Sequence, residues 1–137
     1  MPPVQLAIPL ALLVGAAIAA TTGPSRTETL LATTRAWTGE HYAQYLDGQP
    51  EMRMLRISIE PGATLPWHRN TVPNAGYLLE GELHIETREG ASLVLRPGDS
   101  IAQSVDVVQR GIAGPEGATI LMFYANVEGK AVTVVEA

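Results

Sequence analysis

The sequence predicts an all-β domain, and three observations carry that expectation. Apolar and polar residues alternate in several short runs, the period of a half-buried strand. Proline, glycine and aspartate clusters punctuate those runs at spacings of about 8–12 residues. No segment from Arg26 onward carries the apolar spacing of an amphipathic helix. Together they indicate a β-sandwich or a small β-barrel.

The elements follow in order. Residues 55–60 (LRISIE) alternate, and Pro61-Gly62 ends the run. In the next run Tyr77, Leu79, Gly81, Leu83 and Ile85 are expected on one face. Leu78, Glu80, Glu82, His84 and Glu86 are expected on the other. Arg88-Glu89-Gly90-Ala91 suits a hairpin turn. Residues 92–96 (SLVLR) form a short strand closed by Pro97-Gly98-Asp99. Residues 105–112 are a further strand, and Pro115-Glu116-Gly117 turns the chain into the apolar run 118–127 (ATILMFYANV). Residues 132–135 add an edge strand. Met52, Met54 and Met122 are expected to fill the core. Residues 36–51 have no clear period and are expected to cover one end of the barrel.

Composition narrows the chemistry. At 137 residues the chain has the length of one domain. Without cysteine it has no disulfide, thiolate metal site or cysteine nucleophile. Its three histidines cap an imidazole metal site at three ligands. A formal net charge of −5 gives no basic footprint for nucleic acid. Aromatic residues make up only 5%, too few for a base-stacking platform. No serine stands in a G-x-S-x-G elbow, and no glycine-rich loop suits phosphate.

The N-terminus reads as an address. Residues 4–20 (VQLAIPLALLVGAAIAA) are apolar, interrupted by Pro9, and end in small residues. The run is short for a bilayer span of about 20 residues. It suits a cleaved secretory signal at 1–20, though the usual Lys or Arg of the n-region is missing. An uncleaved membrane anchor is the alternative. Cleavage would leave a periplasmic or secreted protein with no membrane association. The remaining divisions are residues 21–51 as N-terminal strand and irregular cover, 52–127 as barrel and 128–137 as C-terminal edge strand.

The glycine and histidine spacing resembles the cupins, whose first motif is G-x5-H-x-H-x3,4-E-x6-G and second is G-x5-P-x-G-x2-H-x3-N. Gly62 is followed by His68, then Asn70 and Asn74, and Gly81 closes the first motif. Gly98 opens the second, with Gln109 at its histidine position. The phrases LPWHRN, PNAGYLLEGEL and RPGDSI also look like those of short single-domain bacterial cupins. The resemblance covers residues 52–124 and implies a jelly-roll barrel, the double-stranded β-helix.

It also implies where a metal would sit, and this sequence departs there. Of the four ligand positions only His68 is kept; the others are Asn70, Asn74 and Gln109. The proline, glycine and asparagine of the second motif are Ser104, Asp106 and Ala113. Amide oxygens are neutral, weak donors, poorly suited to a transition metal beside one imidazole. No tightly bound cofactor is therefore expected; Fe, Mn, Ni or Zn is the alternative.

His68, Asn70, Asn74, Tyr77 and Gln109 are the expected ligand-binding residues, with His68 the one candidate base or metal ligand. Gln103 joins them on strand parity alone. His84, between Glu82 and Glu86, is expected in solvent, and His41 at the surface or barrel rim. The expected function is an exported barrel binding a small polar or apolar molecule in its interior. The alternative is a metal-dependent enzyme of the dioxygenase, isomerase or decarboxylase type. Exposed sheet edges also predict a homodimer.

Overall fold

The computed structural model describes residues 23–137, so the expected signal at 1–20 lies outside the described residues. The described chain divides after Ala32, and the barrel belongs wholly to Thr33–Ala137. No helix occurs among the described residues.

Seven strands among the described residues carry the fold: β1 (Pro50–Ile59), β2 (His68–Asn70), β3 (Asn74–Thr87), β4 (Ser92–Leu95), β5 (Ser100–Ala102), β6 (Gln109–Val127) and β7 (Thr133–Val135). All strand pairs are antiparallel. The long strands β3 and β6 form the spine, paired from Asn74↔Tyr124 to Thr87↔Gln109. On the far edge of β3 lie β4 and β5, and on the far edge of β6 lie β1 and β2. The last strand, β7, adds to β2. The sheet rolls into a jelly-roll barrel, the double-stranded β-helix implied by the cupin resemblance.

The interior is built from alternate residues, because successive strand side chains point to opposite faces. Ile59, Leu78, Leu83, Ile85, Leu95, Ile101, Ile120, Met122 and Tyr124 are all buried. Trp37 packs on this core from the irregular segment, and its backbone N–H donates to Ala102 O at 2.9 Å. Tyr42 fastens the same segment, donating its hydroxyl to Gln103 O at 2.6 Å.

Three expectations about the strands are corrected. The run 105–112 and the run 118–127 are not two strands around a turn. They are one strand, β6, kinked at Pro115–Gly117 where the register with β3 jumps between Leu83↔Ala113 and Gly81↔Ala118. Gly81 (φ 79°) and Gly117 (φ 83°) make this kink possible. A Cβ on Gly81 would lie 1.9 Å from Gly117 O. Second, a further irregularity between Leu78 and Glu80 reverses the side-chain alternation. Leu78 is therefore completely buried, while Tyr77 and Leu79 are only half-buried on the opposite face. Third, Met52 and Met54 are 83% and 66% exposed, so they do not fill the core. Their register partners Ala125 and Phe123 are also exposed, which places all four on the outer sheet face.

Candidate functional site

The barrel interior holds an open-mouthed cavity of ≈220 Å³. Its aliphatic wall comes from the inward positions of β1, β3 and β6: Ile57, Ile59, Leu83, Ile85, Ile120 and Met122. Its polar wall is concentrated where β2 meets β6 and β7. His68 and Asn70 occupy alternate positions of β2, and His68 pairs in register with Gln109 of β6. Gln103 joins them after the end of β5, and Thr133 and Val135 of β7 complete that side.

The hydrogen bonds define what each polar group offers. Gln109 Nε2 donates to Gln103 Oε1 at 2.7 Å. Thr133 Oγ1 donates to Asn70 Oδ1 at 3.4 Å. Asn70 Nδ2 and Gln109 Oε1 are buried and have no partner among the described residues. His68 Nδ1 lies 3.0 Å from Pro66 O, and a carbonyl only accepts. Nδ1 therefore carries the proton, which leaves Nε2 as the lone-pair nitrogen of the neutral ring. Tyr124, also on the wall, has its phenol pKa raised, chiefly by burial. It stays an uncharged hydroxyl at neutral pH.

Charge is confined to one edge. Arg110 lines the cavity, with its Nε donating to Glu86 Oε2 at 3.0 Å and its guanidinium stacked 4.3 Å from the Trp67 ring centre. Arg88 sits 5.2 Å from the same ring. The C-terminal strand is held across this end by Arg69, whose Nε donates to Glu136 Oε2 at 3.0 Å. Arg69 also reaches Asp106 Oδ1 at 3.1 Å. Asp106 stands at the glycine position of the second cupin motif and adopts a left-handed φ of 60°. Its N–H donates to Asn70 O at 2.8 Å, so the backbone turn is retained without the glycine.

The structure brings together His68, Asn70, Gln103 and Gln109. Asn74 is buried behind them, with Nδ2 donating to Val72 O at 2.9 Å, and does not line the cavity. Tyr77 does not line it either, because the irregularity in β3 turns it to the other face. His84 is exposed, 3.7 Å from Glu82, and His41 is exposed in the irregular segment. Tyr124, Thr133 and Arg110 escaped the sequence reading. Only the apolar alternation of residues 118–127 pointed inward at Tyr124, and nothing local marked the other two.

The ligand positions do not suit a transition metal. Among the described residues, no three His, Cys, Asp or Glu side chains cluster as a metal site. The donors that converge are one imidazole and neutral amides, with no carboxylate to balance a cation in a low-dielectric interior. The amides are also partly committed to Gln103 and Thr133.

Comparison with known proteins agrees with this architecture. The sequence pattern of the cupin domain matches residues 55–110. Among curated sequences, none gives a significant match. A cupin-like protein from Thermotoga maritima superimposes with a TM-score of 0.56 at 18% identity, covering 63% of this chain and 65% of that one. A DMSP lyase from Ruegeria pomeroyi gives 0.55 at 15% identity, covering 61% and 42%. An RmlC-like cupin from Shewanella frigidimarina gives 0.50 at 24% identity, covering 58% and 69%. The chain thus spans less than two thirds of the Thermotoga protein and of the lyase. At these identities the likeness speaks for the fold and leaves the activity open. The cupin domain pattern thus falls on residues 55–110, within a barrel that has the cupin fold.

Proposed function

We propose that this cupin-like barrel is a small-molecule binding module whose interior works without a tightly bound catalytic metal. One observation carries the reading: the cavity wall at the family's ligand positions presents one imidazole and carboxamides instead of a cluster of imidazoles and a carboxylate. Convergent neutral donors and acceptors inside an aliphatic wall are a common recipe for a ligand pocket. His68, with Nε2 as its lone-pair nitrogen, is the one group placed to accept a proton or a donor from the bound molecule.

Elemental analysis tests this. Protein purified from medium supplemented with Fe, Mn, Ni and Zn is expected to carry only trace metal. A full equivalent that disappears in His68→Ala would overturn the reading and favour the metal-dependent enzyme. The converse variant, Asn70→His with Gln109→His, is expected to create a metal site from three imidazoles. Failure of that variant to bind metal would mean that residues 70 and 109 are not placed as ligands.

Export to the periplasm or beyond the cell is part of the proposal, supported by the apolar run at residues 4–20. The secreted form should begin near Thr21; a start at Met1 or Pro2 would refute cleavage. A homodimer is proposed as well. Among the described residues the edge strand β1 pairs only with β6, and Met52, Met54 and Phe123 expose apolar surface beside that edge. Light scattering should give twice the chain mass, reduced to the chain mass by Met54→Lys. A monomeric parent protein would rule the dimer out.

A further inference from the structure

We infer that the cavity selects an uncharged amphipathic molecule, with a primary amide or hydroxyl head on a short apolar body. This rests on the reading of the barrel as a binding module and narrows it to a class of ligand.

The head is defined by two orphaned atoms. Asn70 is 3% exposed and Gln109 1%. The other half of each amide already has a partner, Thr133 and Gln103 respectively. What the two amides leave, among the described residues, is one donor, Asn70 Nδ2, and one acceptor, Gln109 Oε1, both buried and unpaired, beside the lone pair of His68 Nε2. Buried polar groups normally find partners, so this pair marks a place where a partner is supplied from outside the chain. The two residues are diagonal neighbours across β2 and β6, since Gln109 pairs with His68, two positions from Asn70. A group that both accepts and donates answers both.

The body is defined by the rest of the wall. Beyond the amides the cavity is faced by Ile57, Leu83, Ile120 and Met122. Its ≈220 Å³ has room for several waters, which an aliphatic wall accommodates poorly. An apolar ligand body fills the same space favourably.

The neutrality is defined by charge. Arg110 is the one Lys, Arg, Asp or Glu among the lining residues, and Glu86 already pairs with it while Trp67 covers its face. An anion would enter without a free cation, and a cation without a carboxylate. Either would exchange its hydration for one neutral amide dipole and no opposite charge.

The test compares three near-isosteric probes, benzamide, benzoate and toluene, at pH 8. Binding is read by thermal melting and by NMR of the side-chain amides of Asn70 and Gln109. Benzamide is expected to saturate, to shift both amide resonances and to bind at least about tenfold tighter than the other two, as a site built around hydrogen bonds should. Asn70→Leu is expected to abolish the preference for benzamide over toluene while toluene still binds. Gln109→Met should do the same and serves if Asn70→Leu does not fold. Benzoate binding in the cavity as tightly as benzamide would overturn the neutrality. Toluene binding as tightly as benzamide would overturn the polar head. Either result leaves interior binding standing. If none of the three probes perturbs residues of the cavity wall, both the ligand class and the binding reading fall.

Discussion

Gln109 Nε2 donates to Gln103 Oε1 across 2.7 Å, and both side chains are almost wholly buried. One amide stands at a position where the cupin motif has a histidine. The other comes from beyond a different strand. Their bond leaves Gln109 Oε1 facing inward without a partner, and this makes the stability of the wall depend on both residues together.

A double-mutant cycle should expose that dependence. Gln103→Leu alone strands Gln109 Nε2 as well as Oε1 and is expected to destabilise the barrel by about 1–3 kcal/mol. Gln103→Leu combined with Gln109→Leu removes the stranded groups and should return stability to at least the parent level. Urea midpoints at unchanged m-value measure this. Strictly additive single effects would contradict it.

The kink in β6 should tolerate no side chain at its partner. Gly81→Ala places a Cβ 1.9 Å from Gly117 O, at a residue with φ of 79°. Both the backbone conformation and the overlap are unfavourable, so a loss of about 3 kcal/mol or more is expected. Gly90→Ala is the comparison: it also has positive φ, at 101°, but its Cβ would meet nothing within 4 Å. It should lose only about 1 kcal/mol. Equal losses would mean that φ alone, not the approach of β6, restricts Gly81.

Trp67 should contribute through its two cations. Arg110 and Arg88 lie 4.3 and 5.2 Å from the ring centre. Trp67→Leu keeps an apolar side chain but removes the ring face, and about 1–2 kcal/mol should be lost. Trp67→Phe should recover part of it. Guanidinium denaturation is a poor choice here because of its ionic strength, so urea melts should be used.

Glu51 should contribute to acid sensitivity. Its carboxyl pKa is lowered below the ordinary 4.5, first by the hydrogen bond from Asn126, with burial opposing it and nearby Arg53 adding to it. The Asn126 Nδ2 to Glu51 Oε1 distance is 2.8 Å. A carboxyl held lower in the folded state stabilises above its unfolded pKa, and that stabilisation disappears as pH falls through the folded value. Between about pH 6 and pH 3, Glu51→Gln should therefore show a shallower loss of stability than the parent. An unchanged pH profile would contradict this.

Much of the strand plan was legible locally. The alternation of residues 55–60, the Arg88–Ala91 turn and the Pro97-Gly98-Asp99 turn all correspond to structure at those places. The motif spacing also located His68 and Gln109, which face each other in register. Other residues were misplaced for definite reasons. A strict two-residue period puts Tyr77 and Leu79 on the same face as Leu83 and Ile85, and the irregularity at Leu78/Glu80 breaks that period. Hydrophobicity alone puts Met52 and Met54 in the core, but their strand lies at an edge with one face outward. Asn74 lies at a motif position, yet its amide is turned back to Val72 O.

The sequence by itself determined the strand class, the turns and the spacing that places one histidine among amides. These depend on near neighbours, because side-chain alternation and turn chemistry act over a few residues. Only the tertiary structure decided which face of β3 is interior, that Gln103 meets Gln109, and that Asn70 and Gln109 each keep an unpaired atom in one cavity. Those outcomes depend on the register between distant strands. A single irregularity reverses every later side chain, and no local pattern reports where the partner strand will shift.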